Sequence, residues 1–212
     1  MGVKGGIGAS KYYFQPFVKQ DFTLVNKQGI VLNYLNNNGV GLQIEFNYTQ
    51  KAWKEITVAS NPQQMLLQYY EIPILTHIKI GKSLKSWPTI SFGPHISLLN
   101  NHKYTANSTI DTSIVDYNFN NGLYSEFDYG LDISLGYEFH TSIGNFQFDI
   151  IYSQGLKDIL ARNTASIYQS LNQNMFFEFS YKIKIKDISK KTKNKAIKTK
   201  VKSKKMKVEE IN

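Results

Sequence analysis

The chain has 212 residues, a formal net charge of +9 and no cysteine. That length suits one domain, or one domain with a tail, and the lack of cysteine excludes a disulfide framework or any thiolate metal site. No run approaches the roughly 18 consecutive apolar residues of a membrane-spanning helix, and no basic segment leading into an apolar one opens the chain, so an exported form is expected to be a processed or trimmed one.

The charge is unevenly placed. From Lys182 onward there are 13 Lys against Asp187, Glu209 and Glu210, which leaves 12 basic and 13 acidic residues before it. The basic balance therefore belongs to the tail, and the body is almost neutral. That body is rich in Tyr, Phe, Asn, Gly and Ser, whereas a soluble sheet protein normally carries a dense mix of surface Lys and Glu.

In chain order, the first segment, Gly2 to about Phe14, sets Val3, Gly5, Ile7 and Ala9 against Lys4, Gly6, Gly8 and Ser10. Its glycines permit close packing inside a narrow barrel. A polar loop is expected to run to about Lys27. The second segment, Gln28 to Leu35, is the least regular, with Ile30, Leu32 and Tyr34 as its better face. Asn36-Asn-Asn-Gly39 reads as a hairpin turn, because Asn and Gly tolerate positive φ.

The third segment alternates Val40, Leu42, Ile44, Phe46 and Tyr48 with Gly41, Gln43, Glu45, Asn47 and Thr49. A polar loop from about Ala52 to Gln64 leads to the fourth, Leu67 to Gly81. There Tyr70, Ile72, Ile74, Ile78 and Ile80 oppose Glu71, His77 and Lys79, and Pro73 predicts a bulge or bend. The short stretch Lys82 to Trp87 precedes the fifth, with Ile90, Phe92, Ile96 and Leu98 against Ser91, Gly93, His95 and Ser97. Asn100 to Ser125 reads as a long loop.

The sixth segment is the cleanest. From Phe127 to Phe139 every odd position is apolar and every even one is polar or glycine, which gives a strand with one wholly apolar face. Aromatics stand at its two ends and aliphatics between, as in a wall that crosses a bilayer between aromatic girdles. After the tight turn His140 to Gly144, the seventh sets Phe146, Phe148, Ile150 and Tyr152 against Gln147, Asp149, Ile151 and Ser153. A loop from about Lys157 to Ala165 leads to the eighth, Tyr168 to about Ile185. It sets Leu171, Met175, Phe177, Phe179, Tyr181 and Ile183 against Asn172, Asn174, Glu178, Ser180 and Lys182.

Eight segments with alternating long and short connections predict an all-β fold: an eight-stranded antiparallel up-and-down transmembrane β-barrel over 1–185. Long outer loops and short inner turns are the asymmetry of bacterial outer-membrane barrels, and that counting puts both termini in the periplasm of a Gram-negative bacterium. Periodicity alone also fits a soluble lipocalin-like barrel around a small apolar ligand. The small and amide side chains of the polar faces favour a crowded interior over an exposed wall. The expected contents of the lumen are Glu45, Glu71, His77, Lys79, His95, Asp128, Asp132, Glu138, Asp149 and Glu178. Buried carboxylates need cationic partners, for which Lys4, Lys79, His77 and His95 stand on the same faces.

Gly2-Val-Lys-Gly-Gly-Ile-Gly8, Tyr70-Glu-Ile-Pro-Ile-Leu75, Ser91-Phe-Gly-Pro94, Asp128 to Phe139 and Phe176-Phe-Glu-Phe-Ser-Tyr181 together resemble the PorT-type outer-membrane β-barrel family of Bacteroidota. The resemblance covers about Gly2 to Ile185, and Tyr-Glu-Ile-Pro is its most specific piece. It implies an eight-stranded barrel inserted by the outer-membrane assembly machinery, with no catalytic residues and no cofactor. The lysine-rich tail departs from the family pattern, in which the chain ends on the aromatic last strand.

Catalysis and metal binding find little support in the residues. His77 and His95 lie on neighbouring polar faces, but no third ligand is spaced to join them, and lumen hydrogen bonding accounts for both. There is no Gly-x-Ser-x-Gly, and the glycine-rich opening lacks the spacing of a phosphate loop. The expected function is that of a non-enzymatic structural or accessory barrel, with outer-membrane lipid around it.

The tail, 186–212, is read either as a disordered solvated segment or as an electrostatic arm. The arm comprises Lys190, Lys191, Lys193, Lys195, Lys198, Lys200, Lys202, Lys204, Lys205 and Lys207. Its expected periplasmic partners are an acidic protein, anionic phospholipid or peptidoglycan. A short helix after Ala196 would group Ile197, Val201, Val208 and Ile211. Nucleic acid is not expected, because neither Arg nor aromatics accompany the lysines.

Overall fold

The computed structural model describes residues 1–55, 63–81, 85–106, 114–115, 125–160 and 169–184. The tail therefore lies outside the described residues. Eight long strands form the body: β1 (Gly2–Gln15), β2 (Thr23–Leu35), β3 (Val40–Glu55), β4 (Gln63–Lys79), β5 (Ser86–Ala106), β6 (Phe127–Thr141), β7 (Gly144–Gly155) and β8 (Gln169–Lys182). Each pairs antiparallel with its neighbour in sequence. β8 returns to β1, with Gly2 opposite Lys182 and Gln15 opposite Gln169. The sheet is thus a closed up-and-down barrel with no free long edge.

The registers fix its shape. Carried once around the barrel from Gly2, they return to β1 at Tyr12, ten residues further on. For eight strands this stagger means a tilt of about 40° and a radius of about 8 Å. Each residue then rises about 2.5 Å along the axis, so the apolar face of β6 from Phe127 to Phe139 spans about 30 Å, the thickness of a bilayer's hydrocarbon core.

Side chains alternate accordingly. On β6, Leu135 is 59 % exposed on the outside while Glu138, three residues on, is 1 % exposed inside. The outer surface is apolar all round the lower barrel, from Val3 and Ile7 through Ile74, Phe92 and Ile133 to Phe177. Aromatics mark its lower edge, where Phe139 and Phe146 pack with Phe148, Phe179 and Tyr181. Phe127 and Tyr129 meet near the upper edge.

Connections are short at one end (36–39, 80–85 and 142–143) and long at the other (16–22, 56–62, 107–126 and 156–168). Met1 and Ile183 meet at the short-turn end through Ile183 N donating to Met1 O at 2.8 Å. In the first turn Gly39 takes φ +81°, and Asn36 Oδ1 accepts from Asn38 N and Val40 N at 2.9 and 3.0 Å. This is the turn expected of Asn36 to Gly39.

Several boundaries differ from the sequence reading. β2 begins at Thr23, so Lys27 belongs to the wall. β3 runs on to Glu55 and β5 to Ala106, so neither Ala52 nor Asn100 begins a loop. Cross-strand pairing sustains these polar ends after the apolar alternation fades. Pro73 makes no bulge: the β4–β5 register is the same on either side of it, and the slip comes at Gln68/Tyr69, where Asn100 is the extra residue. Pro73 interrupts the ladder without displacing it, because its missing N–H removes a bond and not a residue.

The long-loop end of the barrel is closed by an apolar cluster. Tyr12, Phe14, Trp53, Met65, Leu67, Tyr69 and Ile159 are buried together, with Val18, Leu99 and Leu160 packed against them. Below it the interior is mainly polar, with a second, smaller apolar cluster of Val25, Ala52, Ile151 and Phe176 set among the charged groups.

Candidate functional site

Among the described residues, the lumen is where the fold gathers chemically active side chains. Nine of the ten residues expected there are buried on the inner face; Lys79 is half-buried near the short-turn end. Tilt and register stack them in tiers.

The lowest tier centres on Glu138. It accepts from Lys182 Nζ at 2.8 Å and Asn145 Nδ2 at 2.7 Å, and it pairs with Lys79, whose Nζ also sits 4.8 Å from the Trp87 ring centre. Above it, Lys4 bridges Glu45 and Glu178, with 2.6 Å to Glu45. Gln43 and Asn47 also donate to Glu45, at 2.6 and 2.8 Å. In the third tier Lys27 reaches Glu71 at 2.9 Å and Glu178 at 3.7 Å, and its ammonium lies 5.3 Å from the Phe176 ring centre. His95 Nδ1 lies 2.8 Å from Asp132 in the same layer. The highest tier joins Lys51 to Asp128 at 2.9 Å and down to Glu71 at 3.3 Å, with Asn172 donating to Asp128 at 2.7 Å. Asp149 stands apart from the lysines and takes both its bonds from Gln147, at 2.6 and 2.8 Å.

Six strands contribute to the chain of pairs from Lys4 to Asp128: β1, β2, β3, β4, β6 and β8. A buried carboxylate or ammonium is tolerable only where opposite charge and hydrogen bonds replace its water. Here one group's partner is usually another group's partner as well, so the interior is cross-linked.

Lys27, Lys51 and Lys182 were not among the expected lumen residues, although they carry much of the cation. Lys27 falls in the stretch read as a loop, and Lys51 lies past the last apolar residue of the third segment. Lys182 was assigned to the polar face of the last strand but counted with the charge of the tail. Parity would have found the first two: they continue the inward positions Gly29 and Thr49 at a spacing of two.

His77 and His95 do not come together. His77 Nδ1 is 2.8 Å from Ser91 Oγ, and His95 sits four residues along β5 from Ser91. Ser91 and His77 touch as a nucleophile and base would, but among the described residues His77 Nε2 meets no hydrogen-bonding partner, and both residues are buried. An orienting acid and a route for substrate are therefore lacking at this pair. Among the described residues no group of three or more His, Asp or Glu is placed to hold a metal ion. A lipocalin-like carrier is also ruled out by which face is which. Its apolar surface would line the interior, whereas here that surface is outside and the interior is filled with ion pairs.

An apolar belt as thick as a bilayer, a closed sheet and a polar interior define a barrel that crosses a membrane with strands. Residues 1–161 match the model of the family described as outer membrane protein beta-barrel domain, and the chain belongs to that family. It is accordingly a protein of the outer membrane. Among solved structures it is similar to neisserial surface protein A (13 % identity, TM-score 0.46, covering 86 % of this chain and 96 % of that one). Ail of Yersinia pestis, in complex with the heparin analogue sucrose octasulfate, is similar at 13 % identity and TM-score 0.44, over 86 % and 97 % of the two chains. OprG of Pseudomonas aeruginosa is similar at 11 % and 0.45, over 87 % and 95 %. No curated protein matches the chain.

Proposed function

We propose that the protein is a non-catalytic barrel of the PorT type in a member of the Bacteroidota, a structural or accessory subunit whose lumen conducts neither ions nor solutes. The observation that carries this reading is the filled interior: four tiers of ion pairs from Glu138 to Asp128, under an apolar seal around Trp53 and Tyr69. A pore needs a water-filled path, and an eight-stranded wall of this radius leaves room only for side chains. Glu71 and Pro73, from the Tyr-Glu-Ile-Pro segment, both point inward, and Glu71 ties Lys27 to Lys51.

The short-turn end faces the periplasm and the long loops face outward, following the loop asymmetry of such barrels. Both ends of the chain then lie on the periplasmic side, where the lysines from Lys190 to Lys207 act as an electrostatic arm for an acidic protein, anionic phospholipid or peptidoglycan. The test of the closed lumen is reconstitution in planar bilayers, with a flat current trace as the expected result; stepwise conductance in the purified protein would refute it. The arm is tested separately by a variant ending at residue 185. It should keep the heat-modifiable gel shift of a folded barrel and lose co-sedimentation with peptidoglycan and with anionic vesicles; unchanged co-sedimentation with both would refute the arm.

A further inference from the structure

The lipid-facing wall is not apolar everywhere. On β2 and β3 the outward positions include Asn26, Gln28 and Gln50, beside the side-chain-free position Gly5 on β1. Together with Tyr48 they line a recess of ≈ 340 Å³. Register and tilt set Gln28 level with Ile72, Leu131 and Tyr152, and Asn26 level with Ile96 and Met175, all within the apolar band on the other strands. Directly across the barrel, four strands away, the same depth is occupied by Leu131 and Ile133, both about half exposed to lipid.

The backbone changes at the same place. The β2–β3 ladder stops at Lys27/Thr49 and resumes only where Gln20–Asp21 meets Lys54–Glu55. At the break, Asn26 N donates to the side-chain oxygen of Gln50 at 3.2 Å, in place of a backbone partner. The side chains of Asn26 and Gln28 make no hydrogen bond among the described residues. Unpaired amides at this depth are unfavourable against acyl chains, which can neither donate nor accept.

We propose that this amide window is the contact between two copies of the chain in the outer membrane. A carboxamide both donates and accepts, so a row of Asn and Gln is complementary to itself. A twofold axis along the membrane normal brings each residue to its own depth on the partner, and it meets the insertion requirement that both copies point the same way. A second copy is thus certain to offer matching amides at the matching level. Gly5 lets the two walls approach closely, as small residues do wherever membrane segments pack.

The chain has no cysteine, so single-cysteine variants report without background. Gln28→Cys and Leu131→Cys would be oxidised with copper phenanthroline in native outer membranes. The expected result is a disulfide-linked dimer from Gln28→Cys and none from Leu131→Cys. In mild detergent, light scattering should give twice the protein mass for wild type and a single protein mass for Asn26→Leu/Gln28→Leu, which should keep the heat-modifiable gel shift of a folded barrel. A wild-type protein of single mass, equal cross-linking at both positions, or a Gln28→Cys adduct with a different protein would each overturn the proposal.

Discussion

Glu71 is the most informative residue to neutralise. Its carboxylate receives Lys27 at 2.9 Å, Lys51 at 3.3 Å and Ser97 Oγ at 3.1 Å. Glu71→Gln keeps the shape and removes the charge. Removing one partner of a buried pair costs about 3–5 kcal/mol, mostly because the other charge is left uncompensated. Lys51 keeps Asp128 at 2.9 Å, whereas the other carboxylate of Lys27 is 3.7 Å away. The loss therefore falls chiefly on Lys27 and lies near the lower end, about 3 kcal/mol. If so, deleting the stranded ammonium should restore stability: Lys27→Met/Glu71→Gln should unfold within about 1 kcal/mol of wild type, since replacing both members of a buried pair is often neutral. Urea titration in lipid vesicles, followed by the fluorescence of Trp53 and Trp87, measures both. A single variant as stable as wild type, or a double variant no better than the single, would refute the claim that the lumen coheres through charge.

Three other substitutions probe the remaining layers, each read by the same titration. Ile133→Arg puts a cation at mid-depth on the lipid face and should cost about 2–4 kcal/mol, whereas the same change in a loop beyond the apolar band should cost little. At Gly136 an added Cβ would collide with the Asp149 carboxylate, the Phe148 carbonyl and the Thr89 hydroxyl; Gly136→Val should lose at least about 1–3 kcal/mol through overpacking. Trp53→Ala removes the ring that Tyr12 and Phe14 pack against at 4.6 and 5.7 Å, with an expected loss of about 3–5 kcal/mol and no loss of membrane association.

Much of the fold could be read from parity. The alternation from Phe127 to Phe139 is complete because that strand crosses the whole bilayer, and the same rule separated inner from outer residues on every strand. Parity is weakest where the environment stops being two-sided. Above the membrane both faces of β3 and β5 meet polar surroundings or the apolar seal, so 52–55 and 100–103 look like loop. The seal around Trp53, Met65 and Leu67 inverts the pattern, because apolar residues point inward there. Of the lumen, the carboxylates were legible and three of the five lysines, Lys27, Lys51 and Lys182, were not. A Lys at the end of an apolar run looks like a boundary, and only a cross-strand register shows that Lys27 and Lys51 point at Glu71. The break between β2 and β3 leaves no mark in the sequence beyond Asn26, Gln28 and Gln50 standing where apolar residues belong.

The most direct test of the central claim is a nitroxide scan of β6 in lipid vesicles, with single cysteines replacing Tyr129, Leu131, Ile133, Leu135 and Tyr137 in turn. Collisional relaxation by oxygen, which partitions into lipid, should be high at all five and peak at Ile133, while a water-soluble nickel chelate should reach none of the central three. Nickel accessibility along the whole set, or exclusion of both reagents, would contradict a wall of this barrel lying against the bilayer.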